Sequence, residues 1–299
     1  MIEKRILVGW LVGLIVLGVV AGCADTSTCK NHREGIPALY SEDFSFDTFW
    51  IGTLGIEELM VVGANASHDT SVHADFTDFT NYQVMLATRD EYPPSCIIYT
   101  GRPPDPTGKK QPLNVTSVTV KGLTGGDRTI NPNGSNPLIE GRAFDSDQVS
   151  FIVASGTGAD DFPGFDDSIN APVFPKLLRL GDLSSLDLST GPSLGITFYR
   201  ADPFYVQWKP SNADYIEIVL MPGTGTQTGY AKLLCIAFDD GCLEIPADAI
   251  ATLALDTCTN FRFRIERHNF KSHLIMDGET TKAAALIDVS SVLEAIVTK

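Results

Sequence analysis

The chain has 299 residues, a length that suits one large or two ordinary domains. Its 43% hydrophobic and 20% charged residues exclude a disordered protein. Its formal net charge of −15 repels polyanions, so DNA and RNA are excluded as partners.

The first 22 residues have the layout of an export signal. Lys4 and Arg5 precede an apolar run from residue 6 to residue 20. This run is shorter than the about 20 apolar residues that a transmembrane helix needs. We therefore expect residues 1–22 to be a signal peptide that is not part of the folded protein.

The apolar run ends in Val20-Ala21-Gly22-Cys23, which resembles the lipobox of bacterial lipoproteins. The resemblance implies cleavage after Gly22, lipidation of Cys23 and anchoring of the mature protein in a membrane. Ala24, in place of an aspartate, favours sorting to the outer membrane, with the protein periplasmic or exposed on the surface. An ordinary signal peptide with a chance cysteine, or an uncleaved anchor, is the alternative.

Beyond a polar tether over residues 23–43, apolar side chains recur at every second position, which is typical of strands with one packed face. One short helix is predicted over Pro246–Ala251, with proline at its start. The pattern predicts an all-β fold, an antiparallel immunoglobulin-like sandwich in two lobes. The alternating groups are Tyr82/Val84/Leu86, Val149/Phe151/Val153, Phe204/Val206/Trp208, Ile216/Ile218/Leu220, Phe261/Phe263/Ile265 and residues 287–297.

A Gly-, Asp- and Pro-rich stretch, Gly156–Pro172, is the predicted seam between the lobes. It divides the chain into an N-terminal β domain over residues 44–165 and a C-terminal immunoglobulin-like domain over residues 166–299. One continuous sandwich is the alternative, and the pattern does not decide between them.

Two resemblances concern the folded part. Val206-Gln207-Trp208 and Tyr215-Ile216-Glu217-Ile218 resemble the Trp and Tyr-x-Ile strands of fibronectin type III and other immunoglobulin-like modules. Residues 113–267 are similar to uncharacterised β-sandwich lipoproteins common in myxobacteria. This second resemblance implies the anchor and the β fold, and it implies no activity. It is carried by Phe151–Gly156, Asp161–Phe165, Ala171-Pro172, the two strands named above, and the order Cys235, Gly241, Ile245-Pro246-Ala247.

Five cysteines besides Cys23 lie in the chain, and export permits disulfide bonds. Cys235 and Cys242 flank a turn-like Asp-Asp-Gly, which makes a local bridge plausible. Cys242–Cys258 is the competing pair, and Cys29–Cys96 is a further option.

Two aspartate pairs, Asp160-Asp161 and Asp166-Asp167, flank the sequence Phe-Pro-Gly-Phe. Calcium binds six to eight oxygens from clustered carboxylates and carbonyls. The spacing therefore suggests a calcium site, the one cofactor that the sequence indicates. A solvated acidic loop is the alternative.

Catalytic patterns are weak. Gly191-Pro192-Ser193-Leu194-Gly195 fits the GxSxG string, but a nucleophile elbow needs a strand before the serine and a helix after it. We interpret it as a loop between strands. The histidine pairs His68/His73 and His268/His273 offer metal-ligand types, and solvated loop residues are the favoured interpretation.

These patterns predict a non-enzymatic, membrane-anchored lipoprotein that acts as a binding or structural module of the cell envelope. Its expected partners are the membrane, through the lipid, and an envelope protein or glycan. The alternative is a tethered extracytoplasmic hydrolase or carbohydrate-processing enzyme, which would need a supported nucleophile or two convergent carboxylates.

Overall fold

A computed structural model of the protein describes Cys29 and residues 50–63, 66–80, 82–83, 89–92, 95–99, 107–108, 110–158, 160–181, 194–195, 202–222, 232–253 and 260–298. Cys23 and the predicted signal and tether thus lie outside the described residues, apart from Cys29. None of the helices in the described ranges has the length and apolar character to cross a membrane.

The predicted all-β fold is confirmed. Pro246, with φ of −59°, precedes helix α1 (Ala247–Thr252), which matches the predicted helix. In chain order the strands are β1 Trp50–Val62, β2 Ser67–Asp78, β3 Tyr82–Gln83, β4 Arg89–Tyr92, β5 Cys96–Tyr99, β6 Thr107–Gly108, β7 Gln111–Pro112, β8 Val115–Lys121, β9 Arg128–Ile130, β10 Ile139–Glu140, β11 Gln148–Ser155, β12 Phe165–Asn170, β13 Leu177–Leu180, β14 Leu194–Gly195, β15 Phe204–Trp208, β16 Tyr215–Pro222, β17 Lys232–Ala237, β18 Cys242–Ile245, β19 Asn260–Asp277 and β20 Thr280–Thr298.

An eleven-stranded sheet organises the fold. Its main path runs β10-β2-β1-β20-β19-β16-β17-β5-β4, with β14 beside β20 and β7 beside β2. The neighbours along this path are antiparallel except for β1, which runs parallel to β20. The long hairpin β19–β20 lies in the middle of this sheet. It connects β1, which neighbours β20, with β16, which neighbours β19.

Two smaller sheets cover the apolar face of this large sheet. The four-stranded sheet β12-β11-β8-β9 packs over β2, β1 and the first half of β20, and the three-stranded sheet β13-β15-β18 packs with α1 over β16, β17 and β5. Each packing encloses its own hydrophobic core. Phe76, Phe151 and Phe162 are fully buried in one core, and Trp208 and Phe263 in the other. The two predicted lobes are therefore two cores on one continuous sheet.

The predicted border between residues 165 and 166 does not separate two domains. It falls at the first residue of β12, and strands from both sides of it hydrogen-bond in the large sheet, as β1 does with β20. Residues 33–299 form one compact unit. The chain passes from one smaller sheet to the other over residues 171–176, which we call the crossing segment. The described strands on the two sides of the predicted border thus share one continuous sheet.

The predicted bridge between Cys235 and Cys242 is wrong, because Cys235 is bonded to Cys96. These two cysteines are directly opposite on the neighbouring strands β17 and β5, which are 139 residues apart in the chain. Because Cys96 is bonded to Cys235, a Cys29–Cys96 bridge is excluded too. Cys29 and Cys242 each take part in a disulfide bond. The Cys242–Cys258 pair stays a prediction, since Cys258 lies outside the described residues.

Candidate functional site

Four buried polar side chains cross the apolar face of the large sheet between the two cores. Thr70, Glu58, Ser291 and Arg267 lie opposite one another on β2, β1, β20 and β19. None of them is more than 3% exposed. We call them the polar row. Buried polar groups need partners, and the crossing segment above the row supplies many of them.

The polar row holds the crossing segment. The Ser291 hydroxyl lies 3.3 Å from the Pro172 carbonyl oxygen. Arg267 Nη1 donates to the Val173 carbonyl oxygen at 2.8 Å and to that of Phe174 at 3.4 Å. The backbone between the two smaller sheets is therefore fixed by side chains of the large sheet.

Arg267 also anchors a buried network on its other side. Its Nη2 donates to Asp239 Oδ1 at 3.0 Å and to the Lys209 carbonyl oxygen at 2.6 Å. The Trp208 indole N–H donates to the same Asp239 oxygen at 2.8 Å, and the Ser211 amide donates to the other at 3.1 Å. The charge of each buried group is thus met by a counter-ion or a dipole.

A cleft of about 350 Å³ opens beside Glu58 and the crossing segment. We call it the Glu58 cleft. Its polar lining consists of Glu58, His68, Arg142, Ser146 and Asp147. Its apolar lining consists of Met60, Phe144, Ala171, Pro172, Val173 and Phe174. A cleft with apolar walls and a few polar groups is the usual form of a small-molecule site.

Hydrogen bonds fix the walls of the Glu58 cleft. The Gly141 amide donates to the His68 carbonyl oxygen at 2.7 Å, and the Thr70 hydroxyl donates to the Gly141 carbonyl oxygen at 3.2 Å. The Ala171 amide donates to the Asp147 carbonyl oxygen at 2.9 Å. Both loops that line the cleft are therefore tied to strands and to each other.

Glu58 and His68 form the central pair of the cleft. His68 Nε2 lies 2.7 Å from Glu58 Oε1, and the Ser291 hydroxyl lies 3.2 Å from Glu58 Oε2. The carboxylate is buried, whereas 30% of the His68 side chain is exposed. A carboxylate on one ring nitrogen fixes the orientation of the imidazole and leaves Nδ1 for another group. The Phe174 and His68 rings meet in a T-shaped arrangement with their centroids 6.0 Å apart.

The opposite face of the large sheet carries a second charged cluster. Arg264 pairs with Glu57 at 3.2 Å and with Glu266 at 2.9 Å, and Arg262 pairs with Glu294 at 3.2 Å. The alternation of apolar and charged residues from Phe261 to Glu266 predicts that the charged side of this strand is exposed to solvent. The apolar side of that prediction is confirmed, but Glu266 and Glu294 are buried and their charges are met by arginines.

His268 lies at the end of this cluster, stacked on Tyr215 with ring centroids 4.5 Å apart. Burial lowers the pKa of His268, but the nearby carboxylates of Asp288 (3.0 Å) and Glu266 outweigh it and raise that pKa to about 10. Burial raises the pKa of Glu266, and His268 and Arg264 outweigh this effect and lower it. Burial, followed by repulsion from Glu266, raises the pKa of Glu217.

We expect the stability of the protein to fall between pH 6.5 and pH 10 because of His268. An unfolded histidine titrates near 6.5, and the folded one near 10. Folding therefore favours the protonated form, and the stabilisation is complete below pH 6.5 and is lost as the pH rises through 10. Replacing His268 with Gln should cost on the order of 3 kcal/mol at pH 6 and flatten this slope. Urea unfolding at several pH values measures both, and an unchanged slope in the variant would contradict the assignment.

The two aspartates of the first predicted calcium pair, Asp160 and Asp161, have different surroundings. Asp161 accepts hydrogen bonds from the Gly158 amide at 2.6 Å and from Asn114 Nδ2 at 3.2 Å, which lower its pKa in that order of importance. Asp160 is exposed. The carboxylate of Asp161 therefore closes its own loop.

The second pair lies on β12, where neighbouring side chains leave opposite faces. Asp167 pairs with Lys271 and, at 2.8 Å, with His273. Burial raises the pKa of Asp167, but these two partners outweigh it and lower that pKa. Among the described residues, no group of three or more His, Cys, Asp or Glu could hold a metal ion. Calcium binding by Asp160, Asp161, Asp166 and Asp167 stays a prediction.

The interpretation of the histidines as loop residues is wrong, since His68, His73, His268 and His273 all lie in strands. His73 is nevertheless exposed to solvent, whereas His268 is buried. His73 packs directly on Gly55, where an added Cβ would lie 2.1 Å from the ring. In the GxSxG string, Leu194 and Gly195 form β14, and Ser193 lies outside the described residues.

The sequence interpretation missed Glu58 and Arg267. A signal for both exists in the alternation. Glu58 occupies an apolar position after Leu54 and Ile56, and Arg267 follows Phe263 and Ile265 in the same way. A charge at a core position of a strand indicates a buried partner, which only the tertiary structure identifies.

The comparisons with known proteins add no identity. No protein-family model matches this chain, and no curated protein is similar enough to it to count as a relative.

Proposed function

We propose that this chain is a non-enzymatic, membrane-anchored lipoprotein of the cell envelope that acts as a binding module, with the Glu58 cleft as its ligand site. The observation that carries the proposal is the cleft itself, which combines apolar walls with the buried carboxylate of Glu58 and the partly exposed imidazole of His68. The scaffold around it is a rigid β sandwich, and loops on such a scaffold are the usual place for binding. The lipid on Cys23 holds this scaffold at the outer membrane.

The disulfide bonds support export of the chain. Cys96–Cys235 closes a long loop between two strands, and Cys29 and Cys242 each take part in a disulfide bond. Structural disulfides persist in oxidising compartments outside the cytoplasm. A protein with more than one of them fits the periplasm or the cell surface, in agreement with the resemblance of residues 20–23 to a lipobox.

Replacing Cys23 with serine is expected to abolish labelling by an alkyne analogue of palmitate and to release the protein from the membrane fraction. The reason is that the thiol of Cys23 is the proposed site of the first lipid, and stable anchoring needs more than one acyl chain. Labelling in cells followed by fractionation measures both effects. The matched control is Cys29→Ser, which should stay labelled. Labelling that persists in Cys23→Ser would overturn the anchor.

A tethered hydrolase is the second candidate, and the Glu58–His68 pair is the observation that favours it. A carboxylate that orients an imidazole is a component of acyl-transfer sites. Such a site also needs a nucleophile beside the histidine, and the Ser146 hydroxyl, which also lines the cleft, instead bonds the Gln148 carbonyl oxygen. Turnover of ester or glycoside substrates by the purified protein would favour this candidate over the binding module.

A further inference from the structure

The charged side chains around the Glu58 cleft differ in whether they have a hydrogen-bond or ion-pair partner in the protein. Both oxygens of Glu58 have partners in His68 and Ser291. Arg142 and Asp147 are exposed, and within the described part of the chain their side chains have no ion pair or hydrogen bond. The cleft therefore presents one unmatched positive and one unmatched negative side chain.

The two unmatched charges lie on one loop on either side of Phe144. Phe144 is buried, and residue 144 forms a β-bridge with Leu123, which fixes the middle of the loop. The Asp147 carbonyl oxygen is bonded to the Ala171 amide, which fixes its end. Because these backbone contacts position the loop, the backbone that carries Arg142 and Asp147 is held in place beside the cleft.

The apolar lining defines the rest of the ligand. Met60, Phe144 and Phe174 form walls that favour an apolar group, and about 350 Å³ is at the small end of ligand sites. A purely anionic ligand is disfavoured by Asp147 and by the chain's net charge of −15. A purely cationic ligand would leave Arg142 unmatched.

We infer that the Glu58 cleft binds a small zwitterion with an apolar side chain, the chemistry of a hydrophobic α-amino acid. Its carboxylate pairs with Arg142, its ammonium group pairs with Asp147, and its side chain packs on Phe144 and Phe174. This inference rests on the proposed binding function and specifies its ligand class.

Titration calorimetry on the detergent-solubilised mature lipoprotein tests the inference with three probes. They are L-phenylalanine, phenethylamine, which lacks the carboxylate, and 3-phenylpropionate, which lacks the ammonium group. Each charged hydrogen bond lost should weaken binding about tenfold or more, so L-phenylalanine should bind most tightly. Arg142→Gln should weaken L-phenylalanine and leave phenethylamine unchanged. Asp147→Asn should weaken L-phenylalanine and leave 3-phenylpropionate unchanged.

Matched controls lie close by. Lys121→Gln and Asp145→Asn change exposed charges outside the cleft lining and should leave binding unchanged. Val173→Trp places a large ring at a cleft position that is 63% exposed and should block binding, whereas Leu138→Trp, 62% exposed and outside the cleft, should not.

The outcomes separate the inference from the proposed function. If both analogues bind as tightly as L-phenylalanine and Val173→Trp still blocks them, the zwitterion is overturned and the cleft stands as a ligand site. If Val173→Trp binds L-phenylalanine as the wild type does, both the inference and the proposed site are overturned. If no probe binds, the zwitterion is overturned.

Discussion

Replacing Arg267 with leucine is expected to lower the free energy of unfolding by about 3–5 kcal/mol. The guanidinium lies 3.0 Å from Asp239, whose side chain is only 1% exposed, so the variant leaves a buried carboxylate without its counter-ion. It also removes the donors to the Val173 and Phe174 carbonyl oxygens. Urea unfolding measures the loss of stability.

Arg262→Leu is the matched control on the same strand. Arg262 is 35% exposed, and its partner Glu294 keeps a second arginine, Arg264, at 3.7 Å, so the loss of Arg262 should cost only about 1 kcal/mol. Arg267→Leu should also speed amide exchange in the crossing segment, because its carbonyls lose their fixed donors. Equal effects of the two substitutions would contradict the role given to the polar row.

Removing the Cys96–Cys235 bridge by a double alanine substitution is expected to cost about 2–5 kcal/mol. The bond joins residues 139 positions apart, and a crosslink that closes so long a loop strongly restricts the unfolded chain. Non-reducing urea unfolding of the wild type and the double variant measures the difference.

Reduction supplies the control for this prediction. A reductant breaks the same bond in the wild type, and it acts equally on the other disulfides of both proteins. The difference in stability between the two proteins should therefore vanish under full reduction. A difference of the same size with and without reductant would mean that cavity formation at the two buried positions, not the crosslink, causes the loss.

Part of the secondary structure could be predicted from apolar side chains that recur at every second position. The alternations at Val149, Phe204, Ile216, Phe261 and residues 287–297 all lie in strands, because one apolar face per strand is a local property of the sequence. The helix after Pro246 is local in the same sense. The resemblance of two strands to immunoglobulin-like modules, in contrast, does not predict the order of the strands in the sheets.

The residues that form the candidate site could not be grouped from the sequence. The Glu58 cleft unites side chains from β1 and β2 with loops that follow β10 and β12, and no spacing in the chain relates these segments. The predicted aspartates and histidines have local or cross-strand partners instead, as Asp167 has in His273. The predicted Cys235–Cys242 bridge failed for the same reason, since it assumed that neighbours in the chain pair.

By itself, then, the sequence determined the all-β class and, for β11, β15, β16, β19 and β20, the position of the strand and the face that it buries, because these depend on alternation over a few residues. It also carries the lipobox-like segment, which is a linear signal. The tertiary structure alone decided that one sheet unites both halves, that Cys96 bonds Cys235, and that Glu58 meets His68 and Ser291. These pairings depend on strand order and register, which are set by the packing of residues far apart in the chain.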